Sequence, residues 1–257
     1  MRGPVLCLVL VVAAASLAPA QSTSTSRPAA TLVIDPGHGG DDVGVRGAGG
    51  LNEKDVALQL AQRVATAADA VPGLRGVLTR DTDRSVTLDE RAAVANRSHG
   101  SAFVSVHLNS HPSGDAVGSV IYVAPAVRSG PSTRQNRTAP ARPFVVPLPG
   151  GGSREVPLAP WATVQHTHTD ASLRLAQLVA GRLRDVTDAA PVVAHAPLRV
   201  LAGADMPALL IEVGYLTSPD VATEVSTESF QTTLGQAIAN AVADFVAGVE
   251  PPTPEGR

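Results

Sequence analysis

The side chains able to do chemistry stand where apolar runs end. Asp35-Pro36-Gly37-His38-Gly39-Gly40 follows the run Thr31 to Ile34, Glu53 opens a segment of helical period, His107 closes Phe103 to Val106, and Glu212 follows Ala208 to Ile211. Two imidazoles and one carboxylate make a three-ligand zinc set that keeps a fourth position for water, which is what separates catalytic sites from closed structural ones. Zinc on His38, Glu53 and His107 would bring the pKa of its water to about 7. Glu212 is then the candidate catalytic residue, taking the water's proton and returning it to a leaving amine. Each residue alone also has an ordinary use: a histidine in a Gly-rich turn, a carboxylate at a helix N-terminus, a strand-end histidine, a glutamate paired with arginine. Their joint placement is what carries the chemical reading.

That placement requires particular elements. Five β-rich runs stand at 31–35, 75–79, 102–107, 118–124 and 208–213. Val56, Leu60 and Val64 recur at four-residue spacing and predict a helix from Glu53 to about residue 69. Thr87 and Glu90 form a capping-box pattern ahead of Leu88, Ala92 and Ala95. Leu173 to Leu183 and Phe230 to Phe245 predict two further helices, the last ending before the tail PPTPEGR. Strands alternating with helices predict an α/β fold, a single domain with a mainly parallel twisted sheet flanked by helices. The carboxyl ends of such strands share one edge, where ligands bind, so residues distant in sequence converge there. A Pro- and Arg-rich insert at about 128–169 breaks the rhythm and reads as a long loop, too rich in proline for a long helix. Within it, Trp161 is expected to pack the insert down, and His166 and His168 would chelate a metal only on an extended backbone.

Length and composition bound the rest. The 257 residues, 44% apolar, suffice for one substantial core. A formal charge of −3 and an aromatic content of 3% exclude a nucleic-acid partner, which needs a basic field and stacking platforms. Residues 1–20 read as a signal peptide ending Ala18-Pro19-Ala20, residues 21–30 as a flexible leader, 31–248 as the catalytic domain and 249–257 as a disordered tail. Export to the periplasm or the extracellular space is therefore expected, with no membrane span after cleavage, since no later segment approaches the roughly 20 apolar residues a bilayer requires. The one cysteine, Cys7, lies inside the signal segment, so the exported domain must rest on its core and a metal.

The segments VIDPGHGGDDVGVRGAGGLNEKDVALQLA, LTRDTDRSVTLDERAAVAN, FVSVHLNS and PALLIEVGYLTSPDV resemble the zinc-dependent N-acetylmuramoyl-L-alanine amidases of type 3, in that family's order and over most of the chain. The resemblance implies one Zn2+ per chain on His38, Glu53 and His107, with Glu212 catalytic. It implies hydrolysis of the amide between N-acetylmuramic acid and the L-alanine of peptidoglycan stem peptides, with peptidoglycan as the partner. Asn109 is a candidate substrate-binding residue, and Asp35 a candidate acceptor for a zinc-bound imidazole. The length of the insert departs from many members. It keeps open a catalytically silent wall-binding or regulatory protein of the same fold, and it leaves room for a protein activator. A zinc peptidase cutting within the stem peptide is a third reading.

Overall fold

In a computed structural model, which describes residues 30–125, 144–147, 153–156, 161–187 and 189–251, the strands are β1 (Ala30–Pro36), β2 (Leu74–Leu78), β3 (Ala102–Asn109), β4 (Val120–Val123), β5 (Phe144–Pro147), β6 (Ser153–Val156), β7 (Val192–His195) and β8 (Ala208–Tyr215). The helices are α1 (Glu53–Ala70), α2 (Leu88–Arg97), α3 (Thr169–Leu183), α4 (Arg199–Ala202), α5 (Pro219–Val225) and α6 (Glu228–Val246). Six strands form one sheet in the order β2-β1-β3-β8-β4-β7. Every neighbouring pair is parallel except β4 and β8. The mainly parallel α/β sheet is thus as expected.

Alternation along the strands turns successive side chains to opposite faces. Leu32, Ile34, Val104, Val106, Leu209 and Ile211 bury on one face against the Val56-Leu60-Val64 stripe of α1, with α3 and α6 completing the layer. Val33, Phe103, Ala208 and Leu210 bury on the other against Ala95 of α2 and Val200 and Leu201 of α4. Each large aliphatic side chain so buried contributes about 1.5–3 kcal/mol. The capping box of α2 is formed: Thr87 Oγ1 accepts the Glu90 N–H, and the Glu90 carboxylate accepts the Thr87 N–H at 2.8 Å.

Two readings need correction. The insert is not a featureless loop: β5 and β6 pair antiparallel within it, and residues Trp161–Thr167 form a 3-10 turn. A sixth sheet strand, β7, lies at the edge beyond β4. His166 and His168 are not on an extended backbone; His166 sits in the 3-10 turn and His168 caps α3, its Nε2 lying 3.0 Å from Asp205 Oδ1. Gln165, buried beside them, donates to the Met206 carbonyl at 2.6 Å and so fixes the approach to β8. The signal segment, the leader, the tail beyond residue 251 and the Trp161 side chain lie outside the described residues. No helix among the described residues is long and apolar enough to cross a membrane.

Candidate active site

β1 delivers the chain to a turn in which His38 (φ 57), Gly39 (φ 123) and Gly40 (φ 63) all have positive φ. Such a conformation is strained for a non-glycine residue, and the surroundings must hold it. Two glycines are dictated by close approach. A Cβ on Gly37 would lie 2.6 Å from His107 Nδ1, and one on Gly44 would lie 2.5 Å from Glu53 Oε2.

Glu53, the first residue of α1, is 2% exposed. Its Oε1 accepts the Leu108 N–H at 3.0 Å and lies 2.9 Å from His107 Nδ1. Its Oε2 accepts the Val45 N–H at 2.9 Å and lies 3.0 Å from His38 Nε2. Burial opposes ionisation of this carboxyl, but the contacts with His107 and His38 outweigh it and hold its pKa well below the carboxylate range. His38 is raised, first by its contact with Glu53 and against the effect of burial. The two imidazoles meet edge to face with centroids 5.0 Å apart. One donor atom from each of His38, Glu53 and His107 falls within 4.8 Å of the others. Two nitrogens and one oxygen at this spacing fit the zinc donor set.

Glu212 is in register with His107 across the parallel β3–β8 pair, so both side chains leave the same face of the sheet. Its Oε2 is buried and has no hydrogen-bond partner among the described residues. Burial pushes this carboxyl above its ordinary value, with His107 opposing and Glu53 adding to the rise. A carboxylate so placed can exchange protons at the site rather than stay permanently ionised. Asn109 ends β3 where the register shifts by a bulge, and its Oδ1 accepts the Ser110 N–H at 2.8 Å.

Asp35 does not serve an imidazole. It shares Val33's side of the sheet and is fully buried beneath α2, where Arg91 Nη1 donates to it at 2.7 Å and Ser105 Oγ at 2.8 Å. Asp42 takes the part expected of it, with Oδ2 2.9 Å from His38 Nδ1. The contact fixes which ring nitrogen of His38 faces Glu53.

Fold and site together define a class: an α/β domain with a His–Glu–His set fit for a metal and, beside it, a half-buried carboxylate with a buried, unpartnered oxygen, at the carboxyl ends of parallel strands. Residues 32–244 match the family Amidase_3, described as N-acetylmuramoyl-L-alanine amidase, and the chain belongs to that family. It is 30% identical over 238 residues to the N-acetylmuramoyl-L-alanine amidase AmiC of Neisseria meningitidis, an alignment covering 89% of this chain and 55% of that protein. The amidase AmiC2 of Nostoc punctiforme superposes with a TM-score of 0.64 at 28% identity, over 86% of this chain and 99% of that one. The N-acetylmuramoyl-L-alanine amidase of Clostridium difficile 630 gives a TM-score of 0.66 at 26% identity, over 86% and 98%. The chain spans about half the length of the curated relatives it matches, 55%, 52% and 52% of three of them.

Proposed function

We propose that this chain is a zinc-dependent hydrolase of peptidoglycan that cleaves the amide joining the lactyl group of N-acetylmuramic acid to L-alanine of the stem peptide. The observation that carries the reading is the register of Glu212 against His107, one carboxylate with an unmet oxygen beside a His38–Glu53–His107 set, in a chain of the amidase family. Bound zinc supplies Lewis acidity at the scissile carbonyl and makes a water more acidic. The protein does the rest. Glu53, ionised, brings negative charge to the set and is itself held in place by the Leu108 and Val45 N–H groups. Glu212 accepts the proton of the water whose oxygen bonds to the carbonyl carbon. As the carbon–nitrogen bond breaks, Glu212 returns that proton to the alanine nitrogen. The products are a muramic acid with its lactyl carboxylate and a peptide with a free N-terminal L-alanine. Asn109 binds substrate through its amide NH2, since its oxygen is already taken by the Ser110 N–H. All four chemical positions are filled, which weighs against a silent wall-binding role.

Export through a signal peptide at 1–20 fits this substrate, which lies outside the cytoplasmic membrane. Peptide release from purified peptidoglycan tests the metal requirement. It is expected to stop on chelation and return on adding zinc to about one ion per chain. Release that survives complete chelation would sink the proposal.

A further inference from the structure

Beneath the His38 turn, five consecutive backbone carbonyls accept hydrogen bonds from side chains rather than from the turn itself. Pro36 O accepts Arg80 Nε at 3.2 Å and Arg91 Nη1 at 2.5 Å; Gly37 O accepts Arg80 Nη2 at 2.6 Å; His38 O accepts Arg91 Nη2 at 2.6 Å. Gly39 O accepts Ser85 Oγ at 3.4 Å and Gly40 O accepts Lys54 Nζ at 2.8 Å. Asp83 closes the rim, accepting the Gly40 N–H through Oδ1 and pairing with Lys54 through Oδ2, each at 2.7 Å.

Arg80 is the unusual member. It is 1% exposed, yet its acceptors are all carbonyls, of Pro36, Gly37, Thr82 and Lys54, with no carboxylate in contact among the described residues. A buried guanidinium without a contacting anion is costly. What it accomplishes is geometric. Its Nη2 donates both to Gly37 O, next to His38, and to Lys54 O, next to Glu53. One rigid planar group thereby brackets the backbones that carry two of the three ligand side chains. Arg91, charge-balanced by Asp35, grips the two carbonyls on either side.

We propose that Arg80, with Arg91 and Lys54, is a positioning residue for the reaction. The three hold the strained His38 turn by its carbonyls and set the spacing of His38 to Glu53, without touching substrate. This rests on the metal reading above. The test is zinc and cobalt(II) titration of the full chain and of Arg80→Lys, with circular dichroism and the thermal midpoint of the chelated protein measured alongside. Arg80→Lys keeps the charge and loses the fork. It is expected to bind zinc about 10–100-fold more weakly, as loss of a partner that orients a ligand does, to show a shifted cobalt visible spectrum, and to lose kcat rather than raise KM. Wild-type affinity and spectrum with only a lowered thermal midpoint would reduce Arg80 to packing and overturn the proposal. If Arg80→Lys does not fold, Lys54→Met at the rim decides: a weaker zinc affinity with an unchanged circular dichroism spectrum supports the cradle, and an unchanged affinity overturns it. A wild-type chain that takes up neither ion overturns the metal reading itself, a distinct failure.

Discussion

Glu53 is buried and Glu212 half-buried with a buried Oε2, and their environments drive the two carboxyls apart. Glu53 meets two backbone N–H groups and two imidazoles, whereas Glu212 carries an oxygen with no partner among the described residues. The first is held ionised and the second is pushed toward its neutral form, which is the pattern of a ligand beside an acid–base group. Glu212→Gln keeps the shape and removes the proton exchange. It is expected to lower kcat by about 10²–10⁴-fold while leaving zinc affinity and circular dichroism close to wild type; a variant losing less than about tenfold would deny Glu212 its role. If Glu212 serves as the base in its ionised form, as proposed above, activity should rise with pH through its pKa. The acid limb of kcat/KM is expected above the ordinary carboxylate range, and a limb at or below that range would contradict the raised value. At this scale the sequence was informative for the residues that end strands. Asp42 was missed because its contact with His38 arises from a left-handed histidine in the turn, which residue type does not announce.

Among the elements, α2 links folding to the site, since it presents Arg91 to Asp35 and to the His38 turn. Thr87 caps it on both sides of the capping box. Thr87→Ala is expected to cost about 1 kcal/mol of stability, read as a lower midpoint in urea with the same m-value. No shift would mean that the box adds nothing to the folded protein. The periodic elements could be read from sequence because their apolar stripes are long: α1, α3 and α6 each bury at least one four-residue repeat. β7 was not, since its four residues are exposed or half-buried and lack the apolar signature of a central strand. The β5–β6 pair was obscured by the surrounding prolines, although Phe144-Val145-Val146 carries a short strand signal. Asp35 was misassigned for a reason internal to the strand. Alternation sends it to the α2 side with Val33, where an arginine and two hydroxyls take it.

For the whole molecule, the proposed zinc site would couple metal binding to folding through His38, Glu53 and His107. In the metal-free protein the raised His38 pKa, above the ordinary 6.5, contributes stability present at low pH and lost as pH rises through that raised value. Metal binding has the opposite sign, because it requires neutral imidazoles. The stabilisation that zinc adds, measured as the difference in thermal midpoint with and without the ion, is therefore expected to grow between about pH 5 and pH 8. A difference independent of pH would place the ion away from His38 and His107.

The bond that is cut tests the central claim most directly. Purified muropeptides incubated with the zinc-loaded full chain, and separately with Glu212→Gln, would be resolved by mass spectrometry. The expected result is intact stem peptide with a free N-terminal L-alanine, together with muramic acid bearing an unsubstituted lactyl carboxylate, from the wild type and not from the variant. Fragments cut within the stem peptide, or equal release by both proteins, would contradict the account.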